Sequence, residues 1–427
     1  MKIQSKIVVG FDLGNYTSQI SYSFLNGEEP VTLSWENGKQ EYHIPTVLGK
    51  KAGENTWFHG VEAWKLAEQK EVLLVDGLLQ HALADESIHA DGIDYKASDL
   101  LTLYLKKCLE QIRQIASFEQ IQSLVITVHE LNENKKRMLS KVTASFPLRN
   151  QVISFRARED AFFYYSANMI EQFWQQQLLL VDGTEEYLKV YRLEVNPNVQ
   201  PMIAFVDKVE YPHLSSQHKL GIRYIEENQE KREYELMDTI GKVLDVHSIS
   251  TIFFMGDEFI GDWFQGALQT LSQTHRVFIG NNLFSKGATY LAKDLMLGNL
   301  EAQKYAFLGN DTLKSEVSVL VRSKDSLKPI TLVEAGRNWY EVTCEMDFIL
   351  DDAHEITFFI ESFISKKKSQ VVMRLDGLPN RPKRTTLLHI KIHMIAETMM
   401  RVHIQDQGFG ELFRSTELSW DEEISLD

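Results

Sequence analysis

Two carboxylates in this 427-residue chain stand at polar bends between apolar strands. The first lies in Ile7-Val8-Val9-Gly10-Phe11-Asp12-Leu13-Gly14-Asn15-Tyr16-Thr17-Ser18, with alternation resuming at Ile20 and Tyr22. A tight turn at this place exposes successive backbone N–H groups, which suit phosphate. An acid beside phosphate would repel it directly, so Asp12 fits such a site mainly as a ligand, through water, of a Mg²⁺ that neutralises the phosphates. An ordinary N-terminal hairpin would read the same way. The second bend, Asp182-Gly183-Thr184, follows Leu178-Leu179-Leu180-Val181 and precedes a return strand over 188–193. A duplicated hairpin is what a two-lobed fold with a ligand between its lobes requires.

The stretches between these hairpins must position the two bends. Short strands are expected at 31–35 and 44–48, a helix over 61–68, and an amphipathic helix over 97–115 capped by Ser98. A buried strand at 124–128, a helix at 132–144, a strand at 152–155 and a helix at 157–173 then alternate, which implies parallel strands with crossover helices. Glu159 falls in the first turn of the last of these helices, where an acid complements the helix dipole. A charged helix is expected over 223–243, a strand over 252–255, and a closing helix after Asn281 in which Gly287 and Ala288 permit close packing.

From Glu316 the pattern becomes all-β, with seven short strands at 317–321, 330–333, 339–348, 356–363, 371–375, 385–395 and 399–404, the signature of a sandwich. His389, His393 and His403 fall on the polar face of its last hairpin. They lack a fourth ligand or a cysteine partner, and exposed histidines are the more ordinary reading. Lys366-Lys367-Lys368 reads as a solvated turn.

Bulk properties narrow the partners. A formal charge of −15 argues against nucleic acid or an anionic membrane as the main partner. Two cysteines, Cys108 and Cys344, imply no disulfide framework. No apolar run approaches the ~20 residues that span a bilayer, and Met1-Lys2-Ile3-Gln4 leads straight into the first strand. A cytoplasmic protein is expected.

The run Asp12-Leu13-Gly14-Asn15-Tyr16-Thr17-Ser18 resembles the first phosphate loop of the actin-like ATPase superfamily, and within it of the DnaK-type heat-shock chaperones. Ile44-Pro45-Thr46-Val47 is similar to the short strand that follows there. Arg158-Glu159-Asp160-Ala161 resembles the chaperones' Asn-Glu-Pro-Thr-Ala-Ala helix start, whose glutamate helps place the attacking water, and Asp182-Gly183-Thr184-Glu185-Glu186-Tyr187 corresponds to their second phosphate loop, Asp-Leu-Gly-Gly-Gly-Thr. Ile252 to Glu258 is similar to the adenosine-contacting strand and its Gly-Gly-Ser turn. The segment 378–406 resembles the substrate-binding sandwich around its Pro-rich turn and last hairpin.

This resemblance implies an α/β two-lobe actin-like ATPase module of ribonuclease H-like type, followed by an all-β sandwich without a helical lid. Its expected parts are lobe I at 1–176, lobe II at 177–308 with a reduced outer subdomain, and the sandwich at 309–427. Glu159, Asp182 and Asp12 would be catalytic, with Asp12 and Asp182 holding Mg²⁺ through water. Gly14, Asn15, Tyr16, Thr17, Gly183, Thr184, Gly256 and Asp257 would contact ATP or ADP.

The chemistry departs from the pattern more than the scaffold does. Leu78 stands where the family has its catalytic lysine, and the second loop's glycine run has become Thr-Glu-Glu, which stiffens the backbone and adds repulsion. Losing one charge stabiliser commonly costs about 10²–10³-fold in rate. The expectation is therefore a chaperone-like nucleotide-binding protein or pseudo-ATPase that acts through residues 310–427 as a polypeptide- or protein-interaction module, with weak nucleotide binding at most. Its alternatives are a slow Mg-dependent ATPase in which Lys286 or Lys189 replaces the lysine, and an actin-like filament or scaffold subunit.

Overall fold

The computed structural model describes residues 6–27, 29–35, 41–148, 152–169, 176–183, 188–197, 202–211, 229–256, 259, 261–298, 304–309, 311–323, 326–351, 354–364 and 366–426, and backbone strands at 216–219 and 222–225. The chain divides into two compact units, Met1–Phe307 and Leu308–Asp427. The expected boundary at 176/177 lies inside the first unit, between its two large sheets.

Those two sheets share one design. The first runs Val152–Ala157, Ile121–Val128, Ile7–Leu13, Thr17–Phe24, Val31–Thr32 in spatial order, and the second runs Arg276–Gly280, Ile249–Met255, Gln177–Asp182, Leu188–Asn196, Met202–Tyr211. In each, three parallel strands are followed by antiparallel ones. The strand that opens each hairpin sits mid-sheet. Every residue of Ile7–Leu13 is buried, which is why the stretch reads as a continuous apolar run rather than an alternation.

Helices Arg158–Ala167 and Leu283–Leu297 pack closely against each other. A Cβ on Gly287 would come within 1.9 Å of the Ala161 carbonyl oxygen, so this contact exists only because the residue has no side chain. Gly10 is equally constrained, since its Cβ would lie 2.4 Å from the Ser285 carbonyl oxygen and the Thr289 nitrogen. The crossing thereby fixes the start of one helix, residue 158, beneath the two hairpins.

Several local expectations are corrected. Ser98 is buried inside helix Ala97–Glu110, whose N-cap is Lys96, whereas Asn132 does cap helix Glu133–Thr143 through its side chain. Residues Ile222–Ile225 form a strand, and the charged helix runs Gln229–Leu244. Leu78–Leu83 is a short helix, and the helix begun at Arg158 is described only to Ala167.

The second unit is a sandwich of two four-stranded antiparallel sheets. Its core draws Val317, Phe358 and Met373 from one sheet and Ile390, Val402 and Ile404 from the other. Among the described residues eight strands are present rather than seven: Trp339–Glu341 is a 3₁₀ turn before strand Thr343–Ile349, and Ser419–Ser425 adds an edge strand. Among the described residues, no helix is long and apolar enough to cross a membrane.

Candidate functional site

Both hairpin acids are buried: Asp12 is the last but one residue of the first opening strand, and Asp182 is the last residue of the second. Between them lies Arg158, 1% exposed, delivered by the first turn of the helix whose position the glycine crossing fixes. Its Nε donates to Asp12 Oδ1 at 3.0 Å and its Nη2 to Asp12 Oδ2 at 2.9 Å, a bidentate fork. Nη1 stands 3.6 Å from Asp182 Oδ2. Thr127 Oγ1 adds a donor to Asp12 Oδ1 at 2.9 Å, and the guanidinium stacks over the Phe284 ring at 4.8 Å.

A second cation pairs with Glu159. Glu159, also 1% exposed, lies 3.4 Å from Lys208 Nζ, which in turn donates to Glu130 at 2.8 Å. Burial works to lower the Lys208 pKa, but Glu159 and Glu130 outweigh it and hold the ammonium above its usual value. Tyr191 sits fully buried beside this cluster, and burial, reinforced by Asp182 and Glu159, keeps its phenol protonated far past the ordinary range.

The turns themselves are committed to backbone partners. Gly14 N–H donates to the Thr17 carbonyl at 3.1 Å, and Gly183 N–H to the Met255 carbonyl at 2.8 Å. The Gly14 carbonyl accepts from Thr46 Oγ1, and the Tyr16 carbonyl accepts from Thr46 N–H, so the Ile44–Pro45 region buttresses the first turn. Asn15, Tyr16 and Thr17 are half-buried at its tip. Gly256, at φ +102°, closes the strand beside Asp182. Thr184, Asp257 and the Glu185-Glu186-Tyr187 run lie outside the described residues.

A cavity of about 320 Å³ opens over the first turn. Gly14 and Asn15 reach it, as do His129, Glu130, Glu210 and Lys189. His129 and Glu130 follow the C-terminal end of strand Ile121–Val128, the usual ligand-facing end of a parallel strand. Glu210 is opposite Lys189 in the hairpin register. His129 Nε2 lies 3.3 Å from Glu210 Oε1, and the ligand atoms of His129, Glu130 and Glu210 all fall within 4.8 Å. That spacing would suit a cation, but Lys208 already pairs with Glu130.

Leu78 is fully buried in the core, and its neighbours Leu79 and Leu83 form apolar wall. Of the two lysines offered as substitutes, Lys189 faces the cavity, whereas Lys286 lies on helix Leu283–Leu297 and does not line it. The sandwich histidines are tied to neighbouring strands: His389 to Asp347 at 2.8 Å and His403 to Asp421 at 3.0 Å. Among the described residues they form no cluster of metal-ligating groups.

Sequence reasoning passed over Arg158. Its cue was present, because a cation in the first turn of a helix opposes the helix dipole and needs a local reason to be there.

No curated protein matches the chain. A domain of unknown function, DUF8552, matches residues 312–426. The family of unknown function DUF5716, through its C-terminal region, matches residues 29–310, two thirds of the sequence. The chain belongs to this DUF5716 family.

Proposed function

We propose that this chain is a pseudo-ATPase of actin-like, DnaK-type design, in which a cation carried by the protein stands where a nucleotide-bound Mg²⁺ would act, and that it works through residues 310–427 as a protein-interaction module. The observation that carries the reading is Arg158, forked onto Asp12 and 3.6 Å from Asp182. The duplicated sheets support the actin-like part.

Mg²⁺ with ATP or ADP does not suit the residues present. Arg158 already forks onto Asp12 and stands 3.6 Å from Asp182, so entry of the ion would bring a dication against a buried guanidinium. Phosphate would meet Glu130 and Glu210 as well as Lys135 and Lys189 at the cavity wall, with the Gly14 and Gly183 N–H groups already engaged. The interaction role rests on the sandwich's edge strands, which offer unpaired backbone groups to an added strand.

Calorimetry with millimolar ATP or ADP and Mg²⁺ tests the first half. No Mg²⁺-dependent heat and no phosphate release are expected, whereas Mg²⁺-dependent binding with turnover would replace this reading by the slow ATPase with Lys189 in the lysine's role. Titration with extended apolar peptides, followed by NMR, tests the second half. Shifts confined to one edge strand are expected, and a folded but unperturbed sandwich would sink it.

A further inference from the structure

One charged side chain of the cavity has no task in the pseudo-ATPase reading. Lys189 is 3% exposed and lines the cavity, yet no hydrogen bond or ion pair within 4 Å holds its ammonium among the described residues. Such a group is costly to keep, because a buried amine loses its water without gaining a partner.

We propose that Lys189 is a nucleophilic amine that condenses with the carbonyl group of a small uncharged aldehyde or ketone held in this cavity. The walls carry both signs, Glu130 and Glu210 against Lys135 and Lys189, so a net charge on the ligand gains nothing from them, and Leu79, Leu83 and Val128 give the carbon chain of an uncharged carbonyl compound apolar contact.

The reaction needs a free lone pair and a proton carrier, and the surroundings supply both. Burial pushes the Lys189 pKa down to about 7, with Glu210 pulling it up and Lys208 pushing it further down. A desolvated lysine beside a second cation is an activated nucleophile at neutral pH. Glu210 faces Lys189 across the strand pair and contacts His129 at 3.3 Å. The nitrogen attacks the carbonyl carbon and a C–N bond forms while the carbonyl π pair moves to oxygen; one N–H proton passes by way of the Glu210–His129 pair to that oxygen, giving a carbinolamine. The nitrogen lone pair then expels the hydroxyl, which takes the second N–H proton by the same route and leaves as water, so that amine and carbonyl become imine and water with both amine protons in the water.

The test treats the full chain at pH 6.5 with propionaldehyde and sodium cyanoborohydride, which reduces the imine to a stable secondary amine, and maps the alkylated lysines by mass spectrometry. Lys189 should label on the order of 10²–10³-fold faster than surface lysines, whose pKa near 10.4 leaves almost no free amine at that pH. Its rate should rise through a midpoint near pH 7. Labelling of Lys189 no faster than the surface average, in protein that is folded by circular dichroism, overturns the proposal. Lys189→Met should abolish the fast site; should that variant fail to fold, the wild-type map and its pH midpoint decide alone. Glu210→Gln should slow labelling several-fold and lower the midpoint, and an unchanged rate would remove Glu210 from the mechanism. None of these outcomes depends on whether Mg²⁺-nucleotide binds.

Discussion

Replacing Arg158 with asparagine, the residue at the start of the chaperone helix that this segment resembles, removes the guanidinium that stands, among the described residues, between two carboxylates that are 4% and 0% exposed. Breaking a buried pair by deleting one partner costs about 3–5 kcal/mol, because the surviving charge stays desolvated. The first unit spans 307 residues, and unfolding entropy near 2.1 cal/mol/K per residue makes the expected fall in melting temperature roughly 5–8 °C. The informative step comes next. If Arg158 stands in for a cation, its loss should open a divalent site at Asp12 and Asp182, and Mg²⁺ at a hundredfold excess over its Kd should restore about 2.7 kcal/mol, or roughly 4 °C. Differential scanning calorimetry of wild type and Arg158→Asn, each with and without Mg²⁺, reads both effects. A variant as stable as wild type, or a Mg²⁺ response equal in the two proteins, would refute the substitution of ion by side chain.

Four further outcomes follow from the same geometry. Gly287→Ala should destabilise the first unit by on the order of 3 kcal/mol or more in denaturant titration, since the new methyl overlaps the Ala161 carbonyl and one helix must shift. Lys189→Met should stabilise the fold below pH 7 and flatten its pH profile: the folded pKa of about 7 lies below the unfolded value, so wild-type stability should climb between pH 7 and about 10.5, as urea midpoints across pH would show. Asp406 of the sandwich accepts two bonds from Arg381 at 2.8 Å, plus others from Gly408 and Thr416, and Asp406→Ala should lower that unit's melting temperature by on the order of 10–20 °C. Burial works to raise this carboxyl's pKa, but Arg381 and the Thr416 and Gly408 donors outweigh it and hold it well below the usual range, so its contribution is present at neutral pH and should fade as acid titrations pass below about pH 4.

What the sequence made legible tracks how local the cause is. The hairpins announce themselves because strand period and turn chemistry lie within a dozen residues. Arg158 is different. Its meaning depends on Asp12, 146 positions away, and the misfit of a cation with the helix dipole marks residue 158 without naming its partner. Strand Ser419–Ser425 was missed for a related reason: only Ile424 of its seven residues is buried, and its conformation is held by pairing with Met399–Gly408 rather than by its own alternation. Lys189 was visible as a lysine in the second hairpin, but its burial is set by the strand Met202–Tyr211 that pairs alongside.

The Arg158 arrangement also bears on what such a cleft can transmit. In an ATPase of the actin-like kind, cation and phosphates arrive and leave, and the lobes respond because their charges are alternately screened and bare. A guanidinium attached to residue 158 cannot leave, and it ties the first hairpin, the crossing helix and the second hairpin into one cluster. On the proposed reading, the nucleotide lever is therefore fixed in one position, and partner binding by the sandwich should be insensitive to ATP. Freeing that lever takes Arg158→Asn with Mg²⁺ present: if peptide affinity at residues 310–427 then becomes ATP-dependent, the chain retains the coupling and has lost only the switch. Affinity unchanged in that variant, with Mg²⁺ demonstrably bound, would mean that the coupling itself is gone and that the two units act separately.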